Sequence, residues 1–151
     1  MKPIMLFAAL LIHSIVEAQL PANQSHHFNS KEGVALSGYD PVSYYDGKPV
    51  EGSADLKVIN RGVTYLFSSS PNLQKFKTNP DKYQPAYGGW CAYAMGASGE
   101  KVKVDPETYS IIDGRIYLFY NFWGNNTLED WKENETSLRA AADKNWLKIT
   151  R

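Results

Sequence analysis

Tyr109-Ser110-Ile111-Ile112-Asp113-Gly114-Arg115-Ile116-Tyr117-Leu118-Phe119-Tyr120 reads as a β-hairpin. Two runs rich in β-branched and aromatic residues flank Asp113-Gly114, a dipeptide suited to a tight primed turn because both central residues need positive φ. Upstream, Leu56 to Ile59 and Val63 to Phe67 have the same character and are joined through Asn60-Arg61-Gly62. Aligned on their glycines, Gly62 to Phe67 and Gly114 to Phe119 agree at four positions. The echo is either an internal duplication or the shared preference of hairpins for such turn and strand residues.

Working outward, the segments beside the hairpins are helical. Ser70-Pro71 is a helix start, because the hydroxyl can cap free amides and proline is tolerated in a first turn. Leu73 and Phe76 share a face, and Asn79-Pro80 stops the run. A longer helix is predicted with Thr127 as its cap and with Glu129 and Asp130 near the positive end of its dipole. Leu128, Trp131, Leu138 and Ala142 keep helical spacing, and Trp146 closes the core. Gly38-Tyr39-Asp40-Pro41-Val42 is read as a turn entering a short strand at Ser43-Tyr44-Tyr45, with Asp46-Gly47-Lys48-Pro49 as the next turn. Strands and helices do not alternate strictly. The prediction is therefore a small single α+β domain of antiparallel hairpins packed with a few helices, one of them C-terminal.

The N-terminus has a different character. Lys2 precedes a nearly continuous apolar run from Ile4 to Ile12, and Val16-Glu17-Ala18 places small side chains as a signal-peptidase site needs. The run is too short for a helix to cross a bilayer, which takes about 20 residues. Residues 1–18 are read as a signal peptide, 19–33 as a flexible tether and 34–151 as the folded domain. The protein is then exported, periplasmic or secreted, with no stable membrane insertion after cleavage. The 16 basic and 16 acidic residues cancel, so the chain lacks the basic footprint of a nucleic-acid binder.

Cys91 is the only cysteine, which rules out an internal disulfide. It lies in Tyr87-Gly88-Gly89-Trp90-Cys91-Ala92-Tyr93-Ala94, where paired glycines allow a sharp bend or a close approach. Two readings follow. Cys91 opens a helix whose free amides stabilise a thiolate, or it is a small buried hydrophobe packed under Trp90 and Tyr93. Tyr87, Gly88, Gly89 and Tyr93 are candidate site residues by their place around it.

Taken together, Gly38 to Val42, Phe67-Ser68, Asn79 to Tyr83, Tyr87 to Ala94, Asp113-Gly114 with Tyr117-Leu118, and Ala141 to Trp146 resemble, in order, the motifs of YHS-domain proteins. The resemblance runs from about Val34 to Trp146. It implies a small exported α+β domain, related to segments that accompany copper-transport ATPases and some oxygenases. Some relatives carry selenocysteine where Cys91 stands, which implies a chemical role for this sulfur. The chain departs from the pattern at Trp90, where tyrosine is common, at Met95, where an aliphatic residue is usual, and at Leu147, where proline often follows the tryptophan.

The donor inventory narrows the chemistry. His13 falls in the signal, and His26 and His27 fall in the tether, so the predicted domain holds no histidine. That excludes a serine–histidine–aspartate set, and one cysteine cannot build a structural zinc site. Copper(I) accepts soft thiolate and thioether ligands. With Cys91 at a helix start, Met95 falls one turn later on the same face, or else it fills a gap in the core. Asp105-Pro106 is read first as a helix or turn start, with its carboxylate able to reach Cys91 only through folding. The expectation is a non-enzymatic module binding copper(I) or a small ligand around Cys91. The alternatives are a thiol redox protein using Cys91 and a non-catalytic protein-interaction domain.

Overall fold

The computed structural model describes residues 24–151. The proposed signal peptide and the first tether residues lie outside them. The fold is the expected α+β domain. Its strands are β1 (Ser30–Lys31), β2 (Val34–Ala35), β3 (Ser53–Asn60), β4 (Val63–Phe67), β5 (Asp105–Ile112), β6 (Arg115–Phe119), β7 (Asn121–Phe122) and β8 (Asn125–Asn126). Its α-helices are α1 (Ser70–Thr78), α2 (Pro80–Tyr83), α3 (Ala92–Ala97), α4 (Thr127–Glu133) and α5 (Glu135–Ile149).

Both hairpins form as the turn residues dictate. Arg61 and Gly62 take φ of 51° and 80°, and Asp113 and Gly114 take 50° and 75°. The likeness goes further than the turns. Each hairpin pairs an eight-residue strand with a five-residue one. Each carries its irregularity at the same place, between Ser53 and Lys57 in β3 and between Asp105 and Tyr109 in β5. Ahead of each lies a left-handed trio, with φ of 56°, 53° and 88° at Leu36, Ser37 and Gly38, and 54°, 61° and 85° at Tyr87, Gly88 and Gly89. A helical turn follows each trio, at Ser43–Asp46 in one case and as α3 in the other. After each hairpin comes a helix pair, α1–α2 or α4–α5, whose first helix is capped by a side chain, with Leu73 and Phe76 answered by Leu128 and Trp131. One structural unit is thus laid down twice, and of the two readings of the hairpin echo, internal repetition accounts for the flanking elements as well. The second copy adds the small β7–β8 hairpin and a longer final helix.

Burial follows the repeat. One core joins Val42, Tyr44, Val63, Tyr65, Phe67, Leu73 and Phe76. The other joins Tyr87, Ala92, Met95, Tyr117, Phe119, Trp131 and Ala142. The first core also takes Ile116 and Leu118 from β6, so the two halves share one interior. In the second core α3 lies directly against α5. A Cβ at Gly96 would sit 2.5 Å from the carbonyl oxygen of Leu138, so only glycine allows this approach.

Three local expectations are corrected. Ser43–Tyr45 is a helical turn, not a strand, because Asp40 organises it. The Asp40 carboxylate accepts from the Val42 amide at 2.8 Å, and the Asp40 carbonyl accepts from Ser43 Oγ at 2.7 Å. The long C-terminal helix is broken at Asn134, which leaves helical geometry with φ −139° and ends α4 where α5 begins. Asn126, not Thr127, caps α4 through its side-chain oxygen, 3.1 Å from the Leu128 amide.

The described part of the tether is also corrected. From Gln24 onward the chain is docked on the domain. The Asn29 amide donates to Gly88 O at 2.8 Å, and the Asn29 side chain donates to Gly89 O at 3.0 Å. Trp90 Nε1 donates to His27 O at 2.7 Å, Phe28 packs on the first core, and β1 pairs with β2. The polar composition of this stretch suggested solvent. Its polar groups instead bind the backbone exposed by the Gly88-Gly89 bend.

Candidate functional site

Cys91 stands between the second left-handed trio and α3, at the N-cap position with φ −57° and ψ 117°. Its amide donates to Val102 O at 2.9 Å. Its side chain makes no capping bond to the amides of α3. The sulfur turns to the far side instead, where it accepts from the Tyr120 amide at 3.4 Å and lies 3.5 Å from Thr127 Oγ1. The Thr127 hydroxyl has one proton, and it is directed to the Tyr120 carbonyl at 3.0 Å. The thiol then donates to Thr127 and closes a small ring of three bonds through Tyr120, Cys91 and Thr127. None of the surface of Cys91 is exposed.

The first half holds a counterpart. Asp40 follows its left-handed trio as Cys91 follows the second, and its amide donates to Val50 O at 2.8 Å. Its carboxylate accepts from Ser68 N at 2.9 Å, Ser68 Oγ at 2.7 Å and Asn72 Nδ2 at 2.8 Å, besides the Val42 amide. Ser68 and Tyr120 each follow the second strand of their hairpin. Asn72 and Thr127 each immediately precede the first core leucine of their helix. Both acceptors therefore tie the loop ahead of a hairpin to the residue after it and to the helix beyond.

A cleft of about 250 Å³ lies over this ring, bordered by Tyr93, Ala94, Val102, Tyr120 and Thr127. Cys91 borders it as well, but from beneath the floor, since its surface is closed. The walls are mostly apolar, with the ends of Ser98, Asn125 and Thr127 supplying polar groups.

The other predicted site residues fall in different places. Tyr93 is brought to the cleft. Met95 follows Cys91 by one turn, as its spacing predicts, but it is wholly buried in the second core and does not border the cleft. Its backbone carbonyl accepts from Asn145 Nδ2 at 2.9 Å. Tyr87 is buried, and its hydroxyl donates to Asp143 Oδ1 at 3.0 Å. Burial first, then the Asp143 carboxylate, pushes the Tyr87 hydroxyl far above the ordinary tyrosine range. Gly88 and Gly89 receive the lead-in segment. A Cβ on Gly88 would stand 2.8 Å from His27 O and 3.0 Å from Trp146, so the close approach needs glycine there. Asp105 opens β5, not a helix. Its carboxylate binds its own loop, with Oδ1 accepting from Glu107 N at 3.0 Å and Oδ2 from Thr108 Oγ1 at 2.8 Å, and it does not border the cleft of Cys91.

This donor set does not fit a two-sulfur copper(I) centre in the cleft. Among the described residues Cys91 is the one soft ligand bordering it, and its remaining polar neighbours are hydroxyl and amide groups that suit harder ions. Among the described residues no three histidine, cysteine or carboxylate side chains gather as a metal cluster. His26 and His27 stack at 3.8 Å between ring centroids, without a third ligand of that kind.

Asp40, Tyr120 and Thr127 are the residues that motif reading overlooked. Asp40 alone carries a signal, the pairing of Gly38-Tyr39-Asp40 with Gly89-Trp90-Cys91, a glycine, an aromatic and an acceptor in the same order. No helix among the described residues is long and apolar enough to cross a membrane. Compared with protein-family models, curated proteins and solved structures, the chain gives no match.

Proposed function

We propose that this chain is an exported, non-catalytic binding module of the YHS type that takes a small, mostly apolar ligand in the cleft over Cys91. The observation that carries this reading is the closed sulfur beneath a mostly apolar cleft. Small-molecule sites are commonly concave and apolar with a few placed polar groups. Here the apolar wall comes from Tyr93, Ala94, Val102 and Tyr120, and hydrogen bonding from Asn125 and Thr127. A volume of about 250 Å³ suits a compact ligand of one or two rings. Thiol redox chemistry asks for an accessible, polarised sulfur, and the engaged and covered thiol supports that reading less well. Among the described residues copper(I) would find a single soft donor at this place.

The test is a titration of the protein with indole, whose ring is apolar and whose N–H can meet a cleft acceptor. Amide resonances of Ala94, Ala97 and Tyr120 are expected to shift saturably, and Ala97→Phe is expected to remove the effect by filling the cleft. Shifts absent from these residues would contradict the proposal. Copper(I) retained by the wild type at one equivalent and lost in Cys91→Ser would favour the metal reading. Export through a leader ending at Ala18 is checked by the intact mass of the secreted protein, expected to begin at Gln19.

A further inference from the structure

A second cleft, of about 360 Å³, lies away from Cys91 where the two copies of the structural unit meet. Arg61 reaches it from the turn of the first hairpin, and Arg115 from the start of β6 just past the turn of the second. His27 of the lead-in and Trp146 of α5 border it as well. The cleft is therefore built from equivalent ends of the two halves and completed by the segments at either end of the described chain.

Its polar groups are incompletely used. Arg61 holds Asp81 at 3.0 Å and Gln84 Oε1 at 3.2 Å, which leaves other guanidinium donors free of bonds to described residues. Among the described residues Arg115 has only a long ion pair, 3.8 Å from Asp143, and it lies 5.8 Å and 5.6 Å from the ring centres of Tyr87 and Tyr117. At these distances the guanidinium keeps a cation–π contact with the two rings and retains donors for a ligand. Among the described residues His27 Nδ1 is buried without a hydrogen-bond partner, a condition that costs free energy. Desolvation, then the nearby charges of His26 and Lys101, holds the His27 imidazole below its ordinary value.

We infer that this cleft binds a small organic anion whose carboxylate or phosphate is held by Arg61 and Arg115, with its apolar part against Trp146. Two guanidinium groups bordering one cleft suit an oxyanion, since arginine binds carboxylate and phosphate through charge-assisted donors. The volume falls within the usual range for small-molecule sites. The site is separate from the cleft over Cys91, and it stands or falls independently of the function proposed there.

The experiment is calorimetric titration of the full domain, including its lead-in, with phenyl phosphate, benzoate and benzyl alcohol. One of the two anions is expected to bind saturably at about millimolar strength or better, and the neutral alcohol about tenfold more weakly or not at all. Whichever anion is preferred separates a phosphate site from a carboxylate site. Arg115→Gln and Arg61→Gln are each expected to weaken the anion about tenfold, the loss for one charge-assisted pair. Arg115→Lys, which keeps the charge, should lose less and guards against a variant that merely folds poorly. Ala97→Phe, which blocks the other cleft, should leave the anion's affinity unchanged. Absence of saturable anion binding, equal binding of benzyl alcohol, or unchanged affinity in folded arginine variants would each overturn the inference.

Discussion

Cys91 occupies in the second half of this fold the position that Asp40 occupies in the first. Each follows a left-handed trio ending in glycine, and each has its amide bound to a valine carbonyl, Val50 or Val102. Each accepts from the backbone amide that follows its hairpin, Ser68 at 2.9 Å or Tyr120 at 3.4 Å. The bonds to oxygen are shorter and come from more donors, and the bonds to sulfur are longer and weaker. The lone cysteine is thereby explained as an acceptor in an internal brace, a role available to serine or aspartate on the same scaffold.

Substitutions at the two positions are expected to rank accordingly. Cys91→Ser keeps a donor and an acceptor among the same partners and should cost about 1 kcal/mol or less, whereas Cys91→Ala strands the Tyr120 amide and should cost about 1–3 kcal/mol. Asp40→Ala leaves several donors unpaired at once and should cost on the order of 3 kcal/mol or more. Urea melts of the three variants give the ranking. Serine as damaging as alanine would mean that the hydrogen bonds of Cys91 contribute little.

The lead-in should contribute to stability from Gln24 onward. Removing residues 19–31 deletes the β1–β2 pairing and the bonds of His27 O and Asn29 to Trp90, Gly88 and Gly89. The melting temperature is expected to fall by several degrees, about 4–8 °C per kcal/mol for a domain of roughly 100 residues. Gly88→Ala should reproduce part of that fall by pushing the segment away. A truncated protein with an unchanged melting temperature would mean that the segment does not pack in solution.

Acid should loosen the same segment. Desolvation, His26 and Lys101 lower the pKa of His27 from 6.5, so the unfolded chain takes up this proton more readily than the folded one. The resulting stability is fully present above pH 6.5 and is lost as pH falls through the lower, folded value. Trp146, packed edge-on at 6.2 Å, adds no charge to the balance. Hydrogen exchange at the Asn29 amide, which is bonded to Gly88 O, should accelerate below pH 6.5 beyond the change in intrinsic exchange, and His27→Gln should flatten the response. A flat profile in the wild type would contradict the account.

Trp131 should anchor the second core. It is wholly buried against Tyr117 and Phe119, with ring centres 5.7 Å and 5.5 Å away. Trp131→Ala should cost about 3–5 kcal/mol, the usual range for a buried aromatic. Trp146 is only half-buried, so Trp146→Ala should cost less. Chemical denaturation of both variants checks the order, and the reverse order would place the weight of the core on the α5 end.

The parts of the fold legible in the sequence were those governed by local chemistry. Asp113-Gly114 and Arg61-Gly62 specify their turns through backbone freedom, and the hairpins follow. Ser43-Tyr44-Tyr45 was misread because the strand preference of tyrosine gave way to Asp40, whose bonds to Val42 and Ser43 wind the segment into a helical turn. The break at Asn134 was hidden because apolar spacing continues across it. Cys91 stood out by being alone, but its sulfur bonds to residues 29 and 36 positions away, where spacing gives no guidance. Met95 shows the converse, since its helical spacing from Cys91 was legible while the direction of its core was not.

The most direct test of the central claim is the rate at which iodoacetamide alkylates Cys91 in the native protein, compared with the same protein unfolded in urea at the same pH. A braced, covered thiol reacts only through opening of the structure, and the native rate is predicted to be on the order of a hundredfold slower or more. A native rate equal to or above the unfolded one would show an accessible, activated sulfur. That result would return Cys91 to thiol chemistry and contradict its equivalence in role to Asp40.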